Sequence, residues 1–118
     1  MKINSYKDLT VWQKSIELVK LIYQLTKQLP RSEEYGLIIQ MRRAAIAIAS
    51  NIAEGFGRRN IKEYIQFLYI SVASCFELET QLIITEQNYN LDVSETMSIL
   101  NEIIRMLYSL ISKLKPKT

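Results

Sequence analysis

The sequence predicts an all-α protein, an antiparallel up-down-up-down four-helix bundle. Its 118 residues include only three Gly and two Pro, too few for the many turns of an all-β fold. Apolar residues also recur at spacings of three and four along four segments, which is typical of helices with a buried face. Because short connections join long helices, neighbours should be antiparallel. We place a single domain at 1–118, with helices at about 8–29, 32–57, 60–88 and 92–114.

The first helix carries a stripe that we expect to face the core: Leu9, Trp12, Ile16, Val19, Tyr23 and Thr26. A second apolar set, Leu18, Leu21, Ile22 and Leu25, widens this face, so the helix should contact two neighbours. Pro30 ends the helix, because the residue before a proline is disfavoured in the α conformation.

The second helix is predicted to begin at Ser32, a favourable N-cap, and to end at Gly55 and Gly57 as C-cap residues. Its buried stripe is Leu37, Met41, Ala44, Ala45, Ile48 and Ile52. Its many alanines should let another helix approach closely.

The third helix is predicted to begin with a capping box formed by Asn60 and Glu63, and Asp92 and Glu95 repeat that spacing for the fourth helix. The apolar positions of the third are Ile61, Tyr64, Ile65, Leu68, Val72, Cys75, Phe76, Leu82 and Ile83. Those of the fourth are Val93, Met97, Leu100, Ile104, Leu107, Leu110 and Ile111, followed by a basic tail that should fray.

The composition argues against an enzyme. The chain has no histidine and a single cysteine, Cys75, which excludes imidazole-based catalysis, an internal disulfide and the usual zinc sites. We therefore expect no cofactor and no metal, and Cys75 as a small buried side chain. The N-terminus lacks a signal-peptide core, and we find no run of about 18 apolar residues, so we expect a cytoplasmic protein without membrane contact.

Charge is unevenly distributed along the chain. The net charge is +3, but residues 1–62 carry 11 Lys/Arg against 5 Asp/Glu, whereas residues 63–118 carry 4 against 7. This asymmetry fits an anionic partner, and it equally fits self-association between unlike surfaces.

A polar face with alanines at its edges follows the second helix. Arg43, Ser50, Asn51 and Glu54 share this face at helical spacing, and we interpret it as a seam buried against another helix or subunit; the alternative is an ordinary exposed face. A buried arginine needs a carboxylate partner. We expect Arg43 to pair with Glu54, or with Glu77 or Glu79 of the third helix, inside the fold or across its assembly.

Basic residues gather where the second helix ends and the third begins. Arg58, Arg59 and Lys62 form this basic corner, and together with Arg42 they are our candidates for phosphate contacts. Tyr64, Phe67 and Tyr69 follow closely; they would stack on bases if exposed, or pack in the core if not. A solvated corner that only aids solubility is the alternative.

Linked motifs along nearly the whole chain are DLTVWQK at 8–14, EYGL at 34–37, QMRRAA at 40–45, SNIAEG at 50–55 and ELETQL at 77–82. They resemble the four-helix bundle proteins named after 23S rRNA intervening sequences. That family usually has Ser and Pro within the segment that here reads Ala47-Ile48-Ala49-Ser50. The second helix should therefore run without the kink of its relatives.

The resemblance implies a bacterial protein that assembles into a homopentamer. More distant relatives serve as accessory subunits of diversity-generating retroelements and bind nucleic acid and a reverse transcriptase. The expected function is a non-enzymatic oligomeric scaffold that binds RNA or DNA. The alternative is a protein–protein adaptor, such as an accessory subunit for a reverse transcriptase. Acid–base catalysis by Glu54, Glu77 and Glu79 is the least favoured interpretation, because acids beside arginines are usually structural.

Overall fold

The computed structural model describes residues 2–116, and they form four α-helices with no strand among them. Helix α1 spans Thr10–Thr26, α2 spans Ile39–Phe56, α3 spans Ile61–Tyr89 and α4 spans Ser94–Leu114. A single 3-10 turn, Tyr6–Asp8, precedes α1. The all-α, four-helix prediction is confirmed.

Helices α2 and α3 run in opposite directions within a bundle of 49 × 24 × 23 Å. Residues later in α3 contact residues earlier in α2. The Ser71 hydroxyl donates to the Ile48 carbonyl, whereas the Thr85 hydroxyl, further along α3, donates to the Met41 sulfur, nearer the start of α2. The core lies between all four helices and is made mostly of aliphatic side chains. Its largest fully buried members are Leu18, Ile22, Met41, Ile48, Ile52, Leu68, Leu78, Leu82, Leu100, Ile103, Leu107 and Ile111.

Much of the stripe predicted to face the core from α1 lies at the surface, next to α2. Ile16 and Tyr23 are exposed and Trp12 and Val19 are half-buried, whereas the buried residues of α1 are Val11, Ser15, Leu18, Ile22, Leu25 and Thr26. Both stripes repeat at helical spacing, so periodicity alone could not tell the core from the neighbouring groove. The prediction was wrong for Ile16 and Tyr23, whereas Thr26 and three members of the second set, Leu18, Ile22 and Leu25, are buried as expected.

Helix α3 is apolar on two opposite sides. Leu68, Val72 and Cys75 are buried as expected, but Phe76 and Ile83 point outward and are 46% and 43% exposed. It is also the one helix among the described residues that is long and apolar enough to cross a membrane, although only 39% of its most apolar window is buried in the bundle. Much of that apolar surface therefore faces outward.

The start of the second helix differs from the prediction. A 3-10 turn at Arg31–Glu33 and a π-helical turn at Glu34–Ile38 precede α2, and Gly36 leaves helical geometry with φ −110° and ψ −112°. Glu33, not Ser32, provides the cap, because its carboxylate accepts a hydrogen bond from the Leu37 N–H at 3.2 Å. Beyond this break α2 is continuous through the alanine-rich segment.

The caps at the other connections agree only in part with the prediction. Asn60 is the N-cap of α3, as predicted, because its side chain accepts from the Glu63 N–H at 2.9 Å. The reciprocal bond of the box differs, since the Glu63 carboxylate accepts from the Asn60 side-chain amide at 2.8 Å and not from its backbone N–H. At the start of α4 the Asp92 carboxylate accepts from the backbone N–H and the hydroxyl of Ser94. It does not accept from Glu95, so the predicted box is not formed.

Candidate functional site at the basic end of the bundle

Positive charge is concentrated at one end of the bundle, where α1 and α3 begin and α2 and α4 end. The segments 2–13, 53–69 and 106–116 make up this end, which we call the basal end. They contain seven Lys/Arg and three Asp/Glu, a net charge of +4, whereas the other described residues carry −2. Such a field attracts polyanions to one end of the molecule.

The predicted basic corner lies at the basal end. The Asn60 cap turns the chain sharply from α2 into α3, which brings Arg58, Arg59 and Lys62 together. The Arg58 guanidinium lies 4.5 Å from the centre of the Phe67 ring and 3.9 Å from a Glu63 carboxylate oxygen. Arg59 and Lys62 are exposed, and neither belongs to an ion pair within residues 2–116. Both are available to phosphates.

Arg42 is separate from these three residues. It lies on α2, 14 residues before the end of the helix at Phe56 and so about 21 Å from that end. Its guanidinium stacks 4.3 Å from the centre of the Tyr23 ring and donates to the Thr26 hydroxyl at 3.0 Å. These contacts tie α1 to α2, so the structure gives Arg42 a packing role within the chain.

The predicted polar seam is exposed along most of its length. Arg43, Ser50, Glu54 and Glu77 are exposed, while Asn51 and Glu79 are half-buried. Asn51 donates to the Ala47 carbonyl of its own helix at 2.8 Å. Among residues 2–116 the ion pairs are Lys14–Glu102 and Arg58–Glu63, so the pairing of Arg43 inside the fold was wrong. The part of the prediction that remains is an ion pair between Arg43 and a glutamate of another subunit.

The three aromatic residues near the corner have different environments. Tyr64 is half-buried against Phe56, with burial raising the pKa of its phenol, and Phe67 lies under Arg58. Tyr69 is 42% exposed. The Lys115 ammonium, in the basic tail that is predicted to fray, lies 5.7 Å from the centre of the Tyr69 ring. Only the antiparallel topology brings α4 to the corner, so no local sequence signal could reveal this contact.

The thiol of Cys75 has little reactivity here. Cys75 is fully buried, and burial together with the negative charge of Glu79 raises the pKa of its thiol to about 12. Among the described residues no three metal-ligating side chains are grouped closely enough to hold an ion.

Comparisons with known proteins agree with this fold. The family model of the 23S rRNA-intervening sequence protein matches residues 7–112. A crystal structure of a protein of unknown function from the S23 ribosomal protein family of Bacteroides thetaiotaomicron is similar, with a TM-score of 0.75 and 26% identity over 86% of this chain and 95% of that one. No curated protein matches. The chain belongs to the 23S rRNA-intervening sequence protein family.

Proposed function

We propose that this protein is a non-enzymatic, homopentameric binding protein that holds RNA at the basal ends of its subunits. The observation that carries the proposal is the concentration of charge at one end, +4 against −2 elsewhere in residues 2–116. Phosphates supply most of the affinity in such complexes, and backbone contacts need cations that are not already neutralised. Arg59 and Lys62 belong to no ion pair within residues 2–116, whereas Arg58 is partly neutralised by Glu63.

Assembly is supported by two apolar surfaces on different helices. The first is the α1–α2 groove, of about 300 Å³, lined by Trp12, Ile16, Val19, Ile46, Ala49 and Ala53. The second is the α3 ridge, which consists of Ile70, Phe76, Ile83 and Ile84, all more than 40% exposed. Exposed apolar patches of this kind usually mark interaction sites.

We propose that the α3 ridge of one subunit docks into the α1–α2 groove of the next. Arg43 lies beside the groove and Glu77 on the ridge, so the two surfaces are complementary in charge as well as polarity. Contacts between two unlike surfaces generate a closed ring when the rotation allows. The ring size of five is the one that the family resemblance implies. Five copies of a +3 chain carry +15, which strengthens phosphate binding through avidity.

The docking is tested by Ile46→Glu in the groove and Phe76→Glu on the ridge. Light scattering on a sizing column should show that each variant alone is monomeric. An equimolar mixture should form heterodimers, because one intact groove then meets one intact ridge. Rings that persist in either variant, or a mixture that stays monomeric, would contradict this arrangement.

RNA binding is tested by the triple variant Arg58→Glu, Arg59→Glu, Lys62→Glu. A matched control, Lys20→Glu, Lys27→Glu, Arg31→Glu, makes the same change in net charge at exposed positions away from the basal end. We expect the basal variant to lose RNA binding while keeping the mass of the ring, and the control to retain most of its affinity. Equal losses in both variants would mean that only net charge matters.

A protein–protein adaptor is the second candidate, and the α3 ridge favours it. If the α3 ridge binds another protein, such as a reverse transcriptase, and not a second copy of this chain, the chain needs no nucleic-acid contact of its own. Adaptor binding through an apolar ridge should depend little on salt, whereas phosphate binding weakens steeply as salt rises. Retention of a reverse transcriptase by the wild type and not by Phe76→Glu, without RNA binding by either, would favour the adaptor.

A further inference from the structure

An apolar cleft opens beside the basic corner, between the start of α3 and the end of α4. It measures about 500 Å³, and its lining is mostly aliphatic, from Ile61, Ile65, Leu114 and Pro116. Tyr69 supplies an aromatic wall, and both Ile61 and Tyr69 are substantially exposed, at 53% and 42%. Large apolar side chains kept at a surface of high positive charge require an explanation that charge alone does not provide.

Polar side chains also line this cleft. Lys62 and Gln66 are exposed side chains of its lining, and the Lys115 ammonium lies 5.7 Å from the centre of the Tyr69 ring. The two ammonium groups are point charges suited to phosphates. The Gln66 carboxamide both donates and accepts hydrogen bonds, as the edge of a base requires.

We propose that the cleft takes one unpaired base of single-stranded RNA, stacked on Tyr69, with the flanking phosphates on Lys62 and Lys115. This inference rests on the proposed function and specifies the form of RNA that the protein prefers. Every base has a π-face that an exposed aromatic ring can hold. In a duplex the bases are enclosed in the stack, so none can enter the cleft.

The arrangement also explains why cations and aromatic surface occur together here. Phosphates bound by Arg58 and Arg59 would keep the strand at the corner, and the cleft lies one turn of α3 further along. Stacking adds affinity that salt does not remove, because it involves no counterion release. The basal end would therefore keep some preference for single strands even at moderate salt.

Fluorescence anisotropy with labelled oligouridine of 20 nucleotides and a 20-base-pair RNA duplex tests the inference. We expect the wild type to prefer the single strand, and Tyr69→Ala to weaken single-strand binding on the order of tenfold while leaving duplex binding unchanged. Tyr69→Phe keeps the ring and should bind as the wild type does. Tyr108→Ala is the matched control, since Tyr108 is 45% exposed on α4 and does not line the cleft.

The outcomes separate this inference from the proposed function. Equal wild-type affinity for both RNAs, or equal losses for both in Tyr69→Ala, would overturn the base pocket while the proposed function stands. If neither RNA binds the wild type, the proposed function fails. A change in particle mass for Tyr69→Ala would assign the cleft to a subunit contact and would also overturn the inference. Thermal melting by circular dichroism confirms that each variant is folded.

Discussion

Gly55 of α2 lies so close to Phe67 of α3 that a Cβ atom at residue 55 would be 2.8 Å from the Phe67 Cβ. Gly55 is buried within the last turn of α2 and does not act as the C-cap that its position suggests. The close approach places the Phe67 ring beneath the Arg58 guanidinium, at 4.5 Å from the ring centre. The packing of two helices thus determines where the basic corner presents its charge.

Replacing Gly55 by alanine should destabilise the protein. The added methyl group meets Phe67 and the Tyr64 carbonyl oxygen at 3.2 Å. Overpacking of this kind costs about 1–3 kcal/mol, and the better helix propensity of alanine offsets about 1 kcal/mol. We expect Gly55→Ala to lower the free energy of unfolding by roughly 1 kcal/mol in urea titrations. Gly57→Ala is the control, since Gly57 has φ −81° and its nearest contact would be 3.6 Å, and it should be neutral or slightly stabilising.

The hydrogen bond between Tyr89 and Glu33 should make stability depend on pH. The Tyr89 hydroxyl donates to the Glu33 carboxylate, and this bond, together with the Leu37 N–H, lowers the pKa of Glu33 from its ordinary 4.5. The same bond raises the pKa of Tyr89 above its ordinary 10.0. The stabilisation is therefore present at neutral pH, and it is lost as pH falls through the lowered pKa of Glu33 or rises through the raised pKa of Tyr89.

Thermal melting of the wild type and Tyr89→Phe across pH checks this linkage. The variant should melt at a lower temperature at pH 7, and the difference in Tm should shrink as the pH is taken below 4.5 or above 10. A difference in Tm that stays constant over the whole range would show that Tyr89 contributes by packing alone.

Cys75 should be unreactive while the protein is folded. Its thiol is fully buried and its pKa is raised to about 12, so almost no thiolate exists at pH 8. Labelling with a thiol reagent should proceed only as fast as the bundle opens, and rapidly in denaturant. Fast labelling of the native protein would mean that α3 separates from its neighbours far more often than this packing allows.

Helical periodicity is sufficient to predict the four helices, because each has a repeating aliphatic face. It also predicts the α2 stripe of Met41, Ala44 and Ile48 correctly, since α2 has one such face. For α1 and α3 it predicts buried residues such as Leu18, Ile22, Leu68 and Val72 correctly. It also assigns to the core four residues of a second apolar face that points outward: Ile16, Tyr23, Phe76 and Ile83. Which face is buried depends on the neighbouring helices, and a single sequence does not contain that information locally.

The basic corner was predictable from the sequence, because Arg58, Arg59 and Lys62 are adjacent in one connection. Lys115 and the apolar cleft beside Tyr69 were not, since they depend on α4 returning to the start of α3. Arg42 was assigned to phosphate because of its charge. Its contact with Tyr23, on another helix, could not be predicted from the sequence.

Arg42→Met should therefore change stability more than RNA binding. The substitution removes the stacking on Tyr23 and the donor to Thr26, contacts that together contribute on the order of 1 kcal/mol. We expect a corresponding drop in the free energy of unfolding and an RNA affinity within twofold of the wild type. Arg105→Met, at an exposed position of α4, is the control and should change neither quantity. A large loss of RNA affinity in Arg42→Met would show that Arg42 contacts the RNA.

The central claim, that RNA binds through phosphate contacts at the basal end, is tested most directly by the salt dependence of affinity. The measurement is the slope of log affinity against log salt for oligouridine, in the wild type and in Arg58→Gln, Arg59→Gln, Lys62→Gln. Each phosphate contact to a single strand contributes about 0.7 to that slope, so we expect the slope of the variant to be shallower by about 2 per engaged subunit. Identical slopes in the two proteins would contradict the claim.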